Sequence, residues 1–320
     1  MNAAGRLAAF GVGLVVAFAA AYTIAAAVAP DASVTAGQDI ATGQEADSGG
    51  ESVRDSDTAV PAADPAGLSL ARDGFLLSPV QAPGGTGARG VLSFTILDDA
   101  GRPLRDYETV HDKQLHLIAV RSDGEHFAHV HPTLDRDSGS WSTPWTWNAA
   151  GTYRVFADFR PAGSGQLTLT RAIDVSGAFA PSEPKGARTV DQVAGYTIAL
   201  DGTLTAGTSS QLTARITRDG RPVTALQPYL GAFGHLVALR DGDLAYLHVH
   251  PDGAEPSPGD TGGPSVPFAA TAPTVGRYLL YLDFQIQDTV HTATFVVDAA
   301  HGGSTAPQPG GSHDAGHSGH

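Results

Sequence analysis

Apolar residues along this chain fall into two regimes. Near the N-terminus an uncharged run from Leu7 to Ala29 is continuous and shows no period. From about residue 68 the apolar positions come instead in short runs, such as GVLSFTIL at 90–97, YRVFADF at 153–159 and LTLTRAI at 167–173. Clusters of turn-forming residues separate them: Asp99-Ala100-Gly101-Arg102-Pro103, Asp123-Gly124 and Ala162-Gly163-Ser164-Gly165. No later stretch sustains a helical period. Short strands punctuated by frequent turns predict an all-β chain of tandem Ig-like β-sandwiches.

The N-terminal run is long enough to cross a hydrocarbon core of ~30 Å. Arg6 precedes it, and Asp31, Asp39, Glu45, Asp47, Glu51, Asp55, Asp57 and Asp64 follow against a single Arg54. That asymmetry puts Met1 in the cytoplasm and the remainder outside. Residues 1–30 are therefore expected to be a transmembrane anchor. The competing expectation is a signal peptide cut after Ala27-Val28-Ala29, which would leave a secreted chain. Residues 31–67 hold almost no large apolar side chain and are expected to form a disordered acidic tether.

The ordered part reads as a duplication. Gly101-Arg102-Pro103 matches Gly220-Arg221-Pro222, His116 matches His235, and His129-Val130-His131-Pro132 matches His248-Val249-His250-Pro251. The strand ending Asp158-Phe159 matches the one ending Asp283-Phe284. Two copies are too few for a solenoid, so each is expected to be a domain, at 68–177 and 188–299, joined by the Pro-bearing linker 178–187. Tyr153 and Tyr278, at matched positions, read as core or corner tyrosines, and Trp141, Trp145 and Trp147 as cover for the first hairpin. Residues 300–320 are Gly-, Ser- and His-rich and are expected to be disordered.

Composition narrows the chemistry. The chain has 33 acidic and 19 basic side chains, a formal charge of −14, which disfavours nucleic acid and anionic membrane surfaces as partners. Contact with a membrane is expected through the N-terminal helix alone. There is no cysteine, and Met1 is the sole methionine. Disulfides, thiolate catalysis and sulfur-ligated metals are excluded, so any metal must be held by nitrogen and oxygen. No nucleophile elbow, phosphate loop or His-Glu-x-x-His motif occurs, and the chain is not expected to be an enzyme.

The 13 histidines carry the positive signal. In the first copy a turn at Asp123-Gly124 would pair Ile118 with His129 and His116 with His131. Opposed residues and i, i+2 neighbours share a face, so His116, His129 and His131 should converge. A turn at Gly242-Asp243 does the same for His235, His248 and His250. Three imidazoles on one sheet face suit Cu(II) or Zn(II). Asp158 and Asp283, carboxylates in otherwise apolar strands, are expected as fourth ligands or as their hydrogen-bonding partners. His291 is a further candidate for the second site and His111 for the first. The alternative is that the histidines are neutral, hydrogen-bonded core residues of a cell-envelope structural or protein-interaction module that holds no metal.

The motifs His116-Leu-Ile-Ala-Val-Arg121 with Phe127-Ala-His-Val-His-Pro132, and Gly234-His-Leu-Val-Ala-Leu-Arg240 with Leu244-Ala-Tyr-Leu-His-Val-His-Pro251, resemble a group of bacterial secreted or membrane-anchored proteins loosely labelled heavy-metal-associated. The resemblance covers roughly residues 70 to 298 and implies an extracytoplasmic address and a metal. It also implies a methionine-bearing metal segment in several members. This chain has none, so a Cu(I) role is disfavoured.

Overall fold

The computed structural model describes residues 66–183, 186–247 and 249–302. The expected anchor, nearly all of the acidic tether, most of the His-rich tail and His248 lie outside the described residues. Every regular element among those residues is a strand, so the all-β expectation holds. No helix there is long and apolar enough to cross a membrane.

The first half contains β1 (Ala71–Arg72), β2 (Phe75–Leu77), β3 (Gly90–Leu97), β4 (Tyr107–Glu108), β5 (Leu115–Arg121), β6 (Ala128–Val130), β7 (Thr133–Asp135), β8 (Ser140–Trp145), β9 (Gly151–Pro161) and β10 (Leu167–Val175). The second contains β11 (Val190–Val193), β12 (Tyr196–Asp201), β13 (Ser209–Arg218), β14 (Arg221–Pro222), β15 (His235–Arg240), β16 (Tyr246–Leu247), β17 (Val249–Pro251), β18 (Ser265–Thr271), β19 (Gly276–Ile286) and β20 (Thr289–Ala299). Each half has two sheets with a core between them, a sandwich-like arrangement. They run β1-β2-β3-β8-β7 and β10-β9-β5-β6 in the first half, and β11-β12-β13-β18-β17 and β16-β15-β19-β20 in the second.

The two sheets of each half differ in kind. In β3 and β13 buried and less buried residues alternate, as expected where one face meets solvent. All seven residues of β5 are buried, and β15 is buried throughout except for its last residue, Arg240. One face of β5 carries Leu115, Leu117 and Ala119 into the core of the first half, with Leu92, Phe94, Trp141 and Val155. The opposite face carries Ile118 and Val120 into a separate cluster with Phe156, Val237, Leu239, Leu244, Tyr246, Leu279, Tyr281 and Val296. The two halves therefore pack through the outer faces of these sheets, a cover worth roughly 1.5–3 kcal/mol for each large aliphatic side chain fully buried.

That packing is reciprocal. Phe127 stacks on Tyr281, with ring centroids 4.1 Å apart and planes 4° apart. Tyr246 and Phe156 stand at the corresponding positions of the opposite repeats, and their rings meet at 5.9 Å. At the hairpin turn Gly124 adopts φ +77, and an added Cβ would strike the Leu279 side chain of the other half. Its carbonyl accepts the Tyr281 hydroxyl at 2.6 Å.

The expected register of the first hairpin is found: Ile118 pairs with His129 and Ala119 with Ala128. The turn differs from the expected two-residue loop. Arg121 N–H bonds to Glu125 C=O and Gly124 N–H to Arg121 C=O, so the loop is Ser122, Asp123 and Gly124. An extra residue at His126, also at positive φ, restores the register below it. In the second hairpin Ala238 pairs with Leu247 and Leu239 with Tyr246. The chain then leaves that sheet: β17 pairs with β18 on the other side of the sandwich, His250 lying opposite Ala269. In the first half β6 continues through Val130 before β7 makes the same crossing at Thr133.

Candidate metal centre

His116 on β5 and His129 on β6 project to the face that meets the second half, and His131 follows in the same direction. One ligand nitrogen from each of the three lies within 4.8 Å of the others. Ring centroids are 5.3 Å apart for His116 and His129, 5.0 Å for His116 and His131, and 4.9 Å for His129 and His131. This convergence is the one expected from the spacing.

The hydrogen bonds assign the tautomers. His116 Nε2 lies 3.0 Å from the carbonyl oxygen of Val110, which only accepts, so Nε2 carries the proton and Nδ1 a lone pair. His129 Nδ1 lies 2.9 Å from Oδ2 of Asp283, so Nδ1 donates to the carboxylate and Nε2 carries a lone pair. The two remaining nitrogens face each other across 3.1 Å. Two acceptors at that distance repel unless a positive centre, either a proton or a metal ion, lies between them. Two imidazoles bound to one Zn(II) at ~2.0–2.1 Å in tetrahedral geometry would set their nitrogens roughly 3.3 Å apart. The third imidazole adds a donor, because His131 Nε2 is buried without a hydrogen-bond partner.

Electrostatics favour neutral rings at His116 and His131. Burial, reinforced by the facing His129, pushes His116 down to about 3. Burial followed by the charges of His129 and His116 takes His131 to about 3 as well. The unprotonated imidazole is the form that coordinates a cation.

The second half completes the surroundings. Asp283, on β19 opposite His235, accepts a second hydrogen bond from Thr292 Oγ1 at 2.6 Å. The side chains of His129 and Asp283 are only 1% and 4% exposed. The His235 ring lies 5.3 Å from His116, nearly parallel to it, and 4.9 Å from His129. Its Nδ1 is buried without a partner, and burial holds the ring well below the ordinary histidine pKa. The His131 ring meets Tyr229 at 6.3 Å, and burial, followed by the Asp283 charge, raises that phenol to about 12. His111, at φ +49, stands 5.3 Å from His235 and 6.0 Å from His116.

Other expected site residues stand elsewhere. Asp158 is opposite His116 in the ladder, but its oxygens accept from Thr168 Oγ1 at 2.8 Å and Gln166 Nε2 at 2.9 Å rather than turning to the imidazoles. Burial raises its carboxyl to about 6. His250 is exposed on β17, across the sandwich from the sheet that holds His235, and it lines a cleft with His111, Asp112, Asp252 and Glu255. His291 packs on Phe284 and Tyr196, with centroids at 5.5 and 5.4 Å. With His248 outside the described residues, the expected second triad is not assembled among them. His235 and Asp283 instead join the first. The reading by repeats missed this pooling, Tyr229 and the Val110 carbonyl. Its available signal was the apolar character of both faces of β5.

Comparison with solved structures finds low likeness. The chain is similar to InvD of Yersinia pseudotuberculosis at 13% identity and TM-score 0.22, over 73% of this chain and 59% of that one. It is similar to domains 1–6 of the surface layer protein SbsC at 14% identity and TM-score 0.23, over 68% and 24%. Against Salmonella alpha-2-macroglobulin reacted with methylamine the values are 13% and 0.24, over 74% and 15%. The chain thus spans less than two thirds of each of these structures. No curated protein matches its sequence. A family described as a domain of unknown function matches twice, over residues 75–177 and 189–301. Since those two matches take in most of the chain, it belongs to the DUF8832 family.

Proposed function

We propose that this protein binds a divalent transition metal, Cu(II) or Zn(II), outside the cytoplasm, in metal handling or resistance. His116 Nδ1, His129 Nε2 and His131 Nε2 are the ligand atoms. Asp283 orients His129 from the neighbouring repeat, as carboxylates commonly do for metal-bound imidazoles. The observation that carries this reading is the pair of tautomer-locked nitrogens facing each other at 3.1 Å beside a third, buried and unpartnered one. Nitrogen-only donation in a chain without cysteine selects borderline cations over Cu(I).

In the same reading each half is an Ig-like sandwich. Supporting this, Tyr153 and Tyr278 each donate to a carbonyl four residues back, Ala149 at 3.0 Å and Thr274 at 2.9 Å, in the manner of corner tyrosines. The apolar run at 7–29 anchors the chain in the membrane with both halves outside, and the resemblance to heavy-metal-associated bacterial proteins accords with that placement. The protein acts as a binder rather than a catalyst.

Titration calorimetry of the purified chain with Zn(II) and Cu(II), against a His116→Ala/His129→Ala variant, tests the reading. Loss of one tight site in the variant, with weak binding by the tail histidines left over, is the expected result. Identical isotherms overturn it. A second reading, an envelope module held together without metal, is favoured by the fact that one shared proton between His116 and His129, with Asp283 as counter-charge, also satisfies the contact. Identical isotherms would leave that reading standing.

A further inference from the structure

We infer that binding of the cation and docking of the two repeats are one coupled equilibrium, so that the metal acts as a staple between the halves. This rests on the metal reading above and adds its regulation.

All three candidate ligands belong to the first repeat, yet the second supplies what makes them a site. Asp283 sets the tautomer of His129. The ring of His235 covers both His116 and His129, and Tyr229 covers His131. If the sheets part, His129 loses the carboxylate that directs its lone pair inward, and water reaches all three nitrogens. The converse also holds. With neither metal nor proton, the closed interface holds two opposed lone pairs and the unpartnered nitrogens of His131 and His235 in a buried setting. Such groups are costly to bury and favour opening. A cation converts the repulsion into two bonds and favours closure.

The remaining contact is of ordinary strength: Ile118, Val120 and Phe156 against Val237, Leu239, Leu279 and Tyr281, together with the Tyr281 hydroxyl on Gly124 O. Linkage makes the effect reciprocal: whatever factor docking adds to metal affinity, metal adds to docking. Removing the hydrogen-bonding partner of a metal-bound histidine typically lowers affinity by about 10–100-fold, which sets the scale of the coupling.

Leu279 and Tyr281 touch the interface and none of the three ligands, so they separate coupling from ligation. The chain has no cysteine, so Ser138→Cys and Thr208→Cys, on exposed positions of the two halves, give one label each in the full-length protein. Zn(II) should narrow the distance distribution between spin labels at these sites. Leu279→Ala should weaken Zn(II) binding roughly tenfold, and Tyr281→Phe should weaken it by a smaller factor. Tyr281→Phe keeps the ring stack and carries the test if Leu279→Ala fails to fold by circular dichroism. Zinc binding by the wild type with an unchanged distance distribution and with affinity in the folded variants within twofold of wild type overturns the staple and leaves the metal site intact. Absence of both Zn(II) and Cu(II) binding in the wild type overturns both.

Discussion

Asp283 of the second repeat holds His129 of the first through a 2.9 Å hydrogen bond between two nearly inaccessible side chains. The matching carboxylate, Asp158, makes no such bond and is held instead by Thr168 and Gln166 within its own half. Equivalent residues of a duplicated sequence therefore do different work. Asp283→Asn should lower Zn(II) affinity about 10–100-fold. Asp158→Asn should leave it within about threefold, because no ligand leans on it. Calorimetry on both variants checks the contrast.

The histidines divide in the same way. His116→Ala or His131→Ala should abolish the tight site. His250→Ala and His291→Ala, which alter an exposed cleft wall and a ring packed on Phe284 and Tyr196, should leave its affinity unchanged. Competition with a chromophoric chelator resolves the two classes. Retention of the site in His131→Ala would remove His131 from the ligand set.

Metal-stripped protein should be destabilised by mild acid. His116 and His131 have folded pKa values lowered to about 3, so each contributes stability above the unfolded value near 6.5 and loses it as pH falls from there towards 3. His235, also lowered, acts in the same direction. Asp158, raised to about 6, acts oppositely: its term is present below about 4 and lost as pH rises through 6. Three histidines outweigh one carboxyl, so urea midpoints measured with chelator should fall between pH 6.5 and 5. His131→Gln should flatten that slope.

The two tyrosine hydroxyls give a paired stability test. Tyr153→Phe removes a partly buried hydrogen bond to a carbonyl and should cost about 1 kcal/mol, and Tyr278→Phe, whose hydroxyl also meets Thr274 Oγ1 at 3.2 Å, should cost at least as much. Neither should alter metal affinity. Thermal melts of both variants, alone and combined, should show nearly additive losses, since the two sites lie in separate cores.

At the turn, Gly124→Ala should be more damaging than an exposed glycine substitution. It places a side chain at φ +77 and pushes a Cβ into Leu279 of the other half. A loss of about 1–3 kcal/mol is expected, against little for Gly165→Ala, where space is open. Chemical denaturation of the two variants distinguishes the positions.

The strand content and the duplication were legible because each depends on local pattern: turn residues, matched motifs and side-chain alternation. The pairing of Ile118 with His129 came out as expected although the turn did not, because the extra residue at His126 offsets the three-residue loop. The fate of His250 was not. It depends on where a strand changes sheets: Val249 is already paired with β18, whereas the matching Val130 still pairs with β5. The motifs His129-Val-His-Pro132 and His248-Val-His-Pro251 are identical, so nothing within them marks the difference. Pooling of His235 and Asp283 with the first triad depends on which faces meet. The apolar residues on both sides of β5 announced a second burial surface but did not name what would cover it.

The reciprocal contact of Phe127 on Tyr281 and Tyr246 on Phe156 has the form of a two-fold dimer interface enclosed within one polypeptide. Two separate chains would meet there only at concentrations above their dissociation constant. Joined by a short segment, the halves face each other at an effective concentration on the order of millimolar, however dilute the protein. Assembly of the histidine cluster is thereby freed from expression level, and because the partner need not be identical, each repeat was free to specialise.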